Sequence, residues 1–217
     1  MSGKYNRKDH LYTKAKEEGF RGRASYKLLE LQKKYRILRR GGRVLDLGCF
    51  PGGWLQVAGE KVGPQGLVVG IDLKAIEDLS NAGRGDYQNV VALVGDMRDE
   101  CSLQRLRELS PDGFDTVLSD MSPALSGIRF RDAFLSAELV GIAFSTAQQL
   151  LKNGGSFVAK IFPGEEADEL FQEMKGWFVR LERVELGSTR KTSSEFYLVG
   201  TSFIRPNTQG EEISRIG

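Results

Sequence analysis

Apolar and polar positions along this chain follow two alternating periods. Runs that are apolar on both faces predict strands buried inside a parallel sheet: Val44 to Leu47, Leu67 to Asp72, Val90 to Val94, Phe114 to Asp120 and Ser156 to Phe162. Between and before them lie stretches with helical spacing: Ala24 to Tyr35, Trp54 to Val62, Cys101 to Leu109, Asp132 to Leu151 and Glu165 to Phe178. Asn153-Gly154-Gly155 has the composition that stops a helix. Two β-rich runs, Leu181 to Leu186 and Glu195 to Ile204, close the pattern and are near enough to pair antiparallel. The alternation predicts an α/β fold: one doubly wound, mostly parallel seven-stranded sheet with a C-terminal antiparallel strand pair and right-handed crossovers.

The polar, Lys- and Arg-rich start and the polar end set the expected boundaries. Residues 1–22 read as a basic, partly disordered segment, 23–205 as a single domain and 206–217 as a frayed tail. At 217 residues, with 40% hydrophobic and 28% charged positions, the chain suits one substantial globular domain. A net charge of +2 says little, but its distribution says more. Between Lys4 and Arg43 stand fourteen Lys or Arg against four Asp or Glu, a candidate footprint for a polyanion. A solvated basic helix face explains the same bias about as well.

Two cysteines, Cys49 and Cys101, make no disulfide framework, and a single histidine, His10, makes a zinc or nucleophilic site implausible. No apolar run reaches the length of a signal-peptide core or a membrane span. The expectation is a cytoplasmic, soluble monomer without a metal.

The most informative stretch runs from Arg43 to Trp54, where a buried strand breaks into a glycine turn and a helix follows. The spacing is Asp46-x-Gly48-x-x-x-Gly52, not the Gly-x-Gly-x-x-Gly of dinucleotide binders, which argues against an NAD-dependent oxidoreductase. It suits a nucleoside-type ligand without a pyrophosphate. Ligands of such sheets sit beyond the carboxyl ends of the strands, and the strand ends here carry acids. Asp72 is placed to accept two ribose hydroxyls, Asp96 to meet an adenine edge with the Met97 backbone beside it, and Asp120 follows the fourth strand. One such carboxylate is commonly a turn former; several around a glycine turn point to an S-adenosylmethionine pocket.

The segments RGRASYKLLEL (Arg21 to Leu31), LDLGCFPGGW (Leu45 to Trp54), GDMRDE (Gly95 to Glu100), SDMSP (Ser119 to Pro123), FVAKIF (Phe157 to Phe162) and SSEFYLV (Ser193 to Val199) carry a resemblance. Together they make the chain similar to the FtsJ/RrmJ family of ribose 2′-O-methyltransferases, from about Tyr12 to Phe203. The resemblance implies a Rossmann-like methyltransferase fold, S-adenosyl-L-methionine as cofactor, and cofactor contacts at Gly52, Trp54, Asp72, Asp96 and Asp120. It implies a catalytic tetrad of Lys27, Asp120, Lys160 and Glu195. Its implied substrate is a uridine of 23S ribosomal RNA in the 50S subunit. The transfer-RNA anticodon loop is a second target, and a non-catalytic RNA-binding assembly factor a third reading. The chain departs from the family in the loop beside the target pocket, where Ser122 and Ala124 replace the more usual alanine and asparagine.

The chemistry asks for these residue types. A ribose 2′-hydroxyl is a poor nucleophile at neutral pH, so a positioned base is needed, and Lys160 is the candidate. A lysine serves as base only in its neutral form, which an apolar strand favours and neighbouring acids oppose. Asp120 and Glu195 are then read as orienting groups. Taken singly, Lys160 fits an edge-strand lysine, Lys27 a solvated helix position and Glu195 a solvent-facing strand charge. RNA capture is expected from Lys14, Lys16, Arg21, Arg23, Arg190 and Lys191, with Tyr12 and Phe20 as stacking partners.

Overall fold

Four of the five residues of strand β1 (Arg43–Leu47) are buried, the carboxylate-bearing Asp46 among them. Only a strand paired on both edges and covered on both faces is enclosed in this way. The computed structural model, which describes residues 10–79, 84–190 and 194–205, puts β1 there. Helices α1 (His10–Glu17) and α2 (Ser25–Tyr35) precede β1, and α3 (Gly53–Val62) follows it. The chain continues through β2 (Leu67–Asp72), β3 (Val90–Val94), α4 (Glu100–Leu109), β4 (Phe114–Ser119) and α5 (Arg129–Leu150). It ends with β5 (Leu151–Ile161), α6 (Glu165–Met174), β6 (Phe178–Val184) and β7 (Phe196–Phe203).

The described strands form one seven-stranded sheet in the order β3-β2-β1-β4-β5-β7-β6. β1 pairs parallel with β2 and β4, and β7 pairs antiparallel with both β5 and β6. The chain turns outward in opposite directions from β1 and β4, which makes their carboxyl ends the switch point where a crevice opens.

Side chains alternate between the faces. Leu45, Leu47, Ile71, Val117, Phe157 and Ala159 pack with residues of α4, α5 and α6. Val44, Val68, Leu118, Val158 and Tyr197 pack instead with Leu28 and Leu31 of α2 and with Trp54, Leu55 and Ala58 of α3. By the same alternation Asp46 and Lys160, two residues beyond Val44 and Val158, point to the α2–α3 side.

Several expectations change. The N-terminal segment is helical from His10 to Glu17, and Ala15 and Phe20 are buried in the α2–α3 core. An apolar anchor orders what composition alone marks as loose. Residues 1–9 and the tail from 206 lie outside the described residues. Helix α5 ends at Leu150, and Leu151 already pairs with Phe114 in the sheet. Asn153-Gly154-Gly155 therefore sits within β5, where the register shifts between Phe114 and Thr116, rather than capping the helix. At its other end α5 begins a turn earlier than expected. Asp132 accepts hydrogen bonds from the Ser126 amide (2.8 Å), the Ser126 hydroxyl (2.7 Å) and the Gly127 amide (3.2 Å), folding the preceding loop against the helix. Helix α6 stops at Met174, and a 3-10 turn over Lys175–Trp177 leads into β6, which starts at Phe178.

Candidate active site

Asp120, the first residue beyond β4, is the hub of a buried polar cluster. Its Oδ1 accepts a hydrogen bond from the Tyr197 hydroxyl at 2.7 Å and lies 3.2 Å from Lys160 Nζ. The same amine donates to the Asp120 backbone carbonyl at 2.7 Å. Lys27, reaching from α2, places its Nζ 3.8 Å from Asp120 Oδ1 and pairs closely with Glu195. The four residues of the expected tetrad thus meet, although 168 positions separate Lys27 from Glu195 in the sequence.

Local structure explains the convergence. Lys160 and Tyr197 are direct partners in the β5–β7 ladder, so their side chains rise together from one face. Trp54 of α3 donates through its indole nitrogen to the Ala24 carbonyl (2.8 Å), and Ser25 donates to the Gly53 carbonyl (3.1 Å). These bonds tie the start of α2 to α3 and set Lys27 above the sheet. The Tyr197 ring stacks on Trp54 at 6.1 Å between centroids, and Lys27 Nζ stands 5.7 Å from its centre. Lys27 and Lys160 are only 9% and 7% exposed, so each cation needs its acid partners, and here opposite charges alternate. Burial first, and then the carboxylates of Asp120 and Glu195, push the Tyr197 phenol well above its ordinary range, which keeps it a donor to Asp120.

Tyr197 was not among the expected site residues. The signal was present, one position from Phe196 in the SSEFYLV segment, but a tyrosine in an apolar strand reads as core until its hydroxyl is seen to reach Asp120.

The glycine turn and acids expected to seat a cofactor lie at the ends of β1 and β2. Gly48 has φ +74°, and a side chain there would put its Cβ 2.3 Å from Met121 Cγ. Gly52, with φ +104°, turns the backbone into α3. Asp72 Oδ2 accepts from the Phe50 amide at 3.0 Å and Oδ1 from the Lys74 amide at 2.9 Å, so this carboxylate holds the turn in place. Asp46 is buried, its Oδ2 has no hydrogen-bond partner among the described residues, and burial, then Asp120 and Asp72, push its carboxyl well above the usual range. A bare glycine turn, an unpartnered buried carboxyl oxygen and acids beyond β1, β2 and β4 fit a cationic nucleoside ligand such as S-adenosylmethionine. Asp96, beyond β3, is engaged by the Arg98 side chain and amide, which hold it below the usual carboxylate range, and Met97 is buried.

The expected RNA-contacting residues divide. Lys14 and Lys16 are exposed on α1, with Lys14 3.7 Å from Glu18 and Lys16 over the Tyr12 ring. Arg21 is turned inward: its amide donates to Gln56 and its guanidinium binds the Asp78 carbonyl and lies 3.8 Å from Glu77. Arg23 donates to the Ser188 carbonyl and so bridges to the β6–β7 connection, which also carries Arg190. Phe20 is 4% exposed, beneath the Arg84 guanidinium, and belongs to the core instead of a stacking surface. Lys191 lies outside the described residues.

Among the described residues no helix is long and apolar enough to cross a membrane, and no group of His, Cys, Asp and Glu is arranged to hold a metal. A doubly wound sheet with a nucleoside-type crevice at its switch point defines an S-adenosylmethionine-dependent methyltransferase fold. The FtsJ-like methyltransferase family profile matches residues 20–203, and the chain belongs to that family. It is 45% identical over 196 residues to the ribosomal RNA large subunit methyltransferase E of Syntrophobacter fumaroxidans, spanning 90% of this chain and 96% of that relative. Among solved structures, a provisionally assigned ribosomal RNA methyltransferase from Plasmodium falciparum superposes with a TM-score of 0.71 at 29% identity, covering 85% of this chain and 98% of that one. Fibrillarin from Aeropyrum pernix, solved with S-adenosyl-L-methionine bound, shares the fold at a TM-score of 0.56 and 21% identity, over 82% of this chain and 76% of that one.

Proposed function

We propose that the protein methylates a ribose 2′-hydroxyl of large-subunit ribosomal RNA, a 23S uridine within the 50S subunit being the favoured target. The observation that carries this reading is the buried cluster of Lys27, Asp120, Lys160, Glu195 and Tyr197 beside the glycine turn. When bound, S-adenosylmethionine supplies an electrophilic methyl group. Gly48, Gly52 and Trp54 would shape its seat, Asp72 would take the ribose hydroxyls, and Asp46 and Asp120 would meet its positive charge. Asp96 and Met97 would hold the adenine.

Lys160 serves as the acceptor of the 2′-hydroxyl proton after its own resting proton has passed to solvent. Asp120 fixes that amine through its backbone carbonyl and its carboxylate. Tyr197 and Lys27 in turn hold the Asp120 carboxylate, and Glu195 holds Lys27. A base so positioned contributes about 10²–10⁴ in rate. Lys14 and Lys16 supply phosphate contacts beside the cleft, while Arg21 and Arg23 act chiefly by holding the start of α2. The name of the Syntrophobacter relative favours ribosomal over transfer RNA, and a complete tetrad speaks against a catalytically idle assembly factor.

The test is nuclease digestion and mass spectrometry of ribosomal and transfer RNA from cells lacking the protein, before and after incubation with pure enzyme and cofactor. One 2′-O-methylated nucleotide should be missing from large-subunit RNA and be restored by the enzyme. An unchanged modification profile in both RNA classes would overturn the proposal.

A further inference from the structure

The loop leaving Asp120 and the first turns of α5 expose four large apolar side chains together: Leu125 (67% exposed), Ile128 (59%), Phe130 (75%) and Phe134 (45%). Phe130 and Phe134 are four residues apart on one helix and share a face. Exposed Arg129 and Arg131 flank Phe130. The loop is built, because Asp132 receives two backbone amides and a hydroxyl from Ser126 and Gly127. Those bonds hold its carboxyl below the usual range, the Ser126 amide contributing most. The segment also abuts the reaction centre at both ends. Met121 fills the space a side chain at Gly48 would need, and Ser136 accepts the Phe162 amide at 3.1 Å, next to the strand that carries Lys160. From Phe130 to Ser136 is about 9 Å along the helix axis, the reach of about two to three stacked nucleotides.

We infer that Phe130 and Phe134, flanked by Arg129 and Arg131, form a stacking platform for unpaired RNA bases next to the nucleotide that enters the active site. This rests on the RNA methyltransferase reading above. Aromatic rings with interleaved arginines fit single-stranded nucleic acid: the rings stack on bases of any sequence and the guanidiniums meet phosphates. A wholly apolar partner would leave the two arginines unmatched. The basic α1 surface then grips the backbone, and the platform holds bases on the far side of Asp120.

The test uses the full chain and two probes: a single-stranded oligouridine of about ten nucleotides, and large subunits from cells lacking the protein. Phe130→Ala with Phe134→Ala should weaken oligouridine binding and raise the KM for subunits about tenfold or more, with cofactor affinity and circular dichroism unchanged. Phe130→Trp should retain binding. Arg129→Gln with Arg131→Gln should lower the slope of log affinity against log salt by about 1.4. Oligouridine affinity equal to wild type in the double alanine variant overturns the platform, whatever happens on subunits. In that case a KM defect confined to subunits would assign the face to a ribosomal protein, and a change of oligomeric state to a second copy. If the wild-type protein itself transfers no methyl group to RNA, the functional reading fails; a fully active, unaffected double variant sinks only the platform.

Discussion

On the face of the sheet toward α5, Phe144, Phe157, Trp177, Phe178 and Phe203 form a continuous aromatic cluster. Phe144 meets Phe157 edge-on at 5.9 Å, and Trp177 stacks on Phe203 at 5.8 Å. On the face toward α2 the sheet buries Asp46, Lys160 and Tyr197, of β1, β5 and β7. The first arrangement draws stability from apolar area and ring geometry. The second removes charges from water and recovers that cost only through complete pairing. The α5 face is therefore given to cohesion alone, whereas the α2–α3 face holds the polar cluster inside an apolar core of its own.

The separation is open to direct attack. Phe157→Ala, at the centre of the aromatic cluster, should cost about 3–5 kcal/mol in denaturant unfolding while the remaining folded enzyme keeps its methyl-transfer rate. Stability near wild type would show that the aromatic face is not the source of cohesion. Lys160→Met should do the opposite. Labelled-methyl transfer should fall by about 10²–10⁴, yet the variant should be less destabilised than Phe157→Ala. Lys27 and Tyr197 still face Asp120 in that variant, and an apolar side chain removes a buried cation. Wild-type turnover would remove Lys160 from the mechanism.

A smaller effect belongs to Glu30, which joins α2 to the β6–β7 connection. Its carboxylate accepts from the Gly187 amide (2.8 Å), the Ser188 amide (3.0 Å) and the Ser188 hydroxyl (2.8 Å). Burial pushes the carboxyl up, but those hydrogen bonds and Lys34 outweigh it and hold it below its ordinary 4.5. A depressed carboxylate stabilises the folded state above the unfolded value and loses that contribution as pH falls through the folded one. Glu30→Gln should therefore cost about 1 kcal/mol at pH 7, after allowance for solvent exposure. The difference from wild type should shrink as pH drops below 4.5. A gap independent of pH would mean that the ionised form plays no part in holding the connection.

Much of the frame was legible before any coordinates. β2 and β3 fall on the expected residues, but only β2 is buried as a run apolar on both faces predicts; β3 is an edge strand with Ala92 and Val94 exposed. Boundaries moved where a tertiary contact overrode a local signal. Asn153-Gly154-Gly155 has the chemistry of a helix stop, but pairing of Leu151 with Phe114 took the chain into the sheet first. Phe20 looked available for stacking in a basic segment, and core packing claimed it. Arg21 and Arg23 looked like phosphate ligands and are bound to backbone carbonyls of other segments.

The sequence by itself determined the order of strands and helices and the glycine turn after β1, and its family resemblance pointed to the four residues that the fold brings together at Asp120. Periodicity and turn chemistry are local properties, which is why they can be read along a chain. Only the tertiary structure decided that Tyr197 completes the cluster at Asp120, that Arg21 faces inward, and that Phe130 and Phe134 stand exposed at the start of α5. Those facts depend on which face of a strand or helix meets which neighbour across the sheet, and no spacing along the chain encodes a distance between residues 27 and 195.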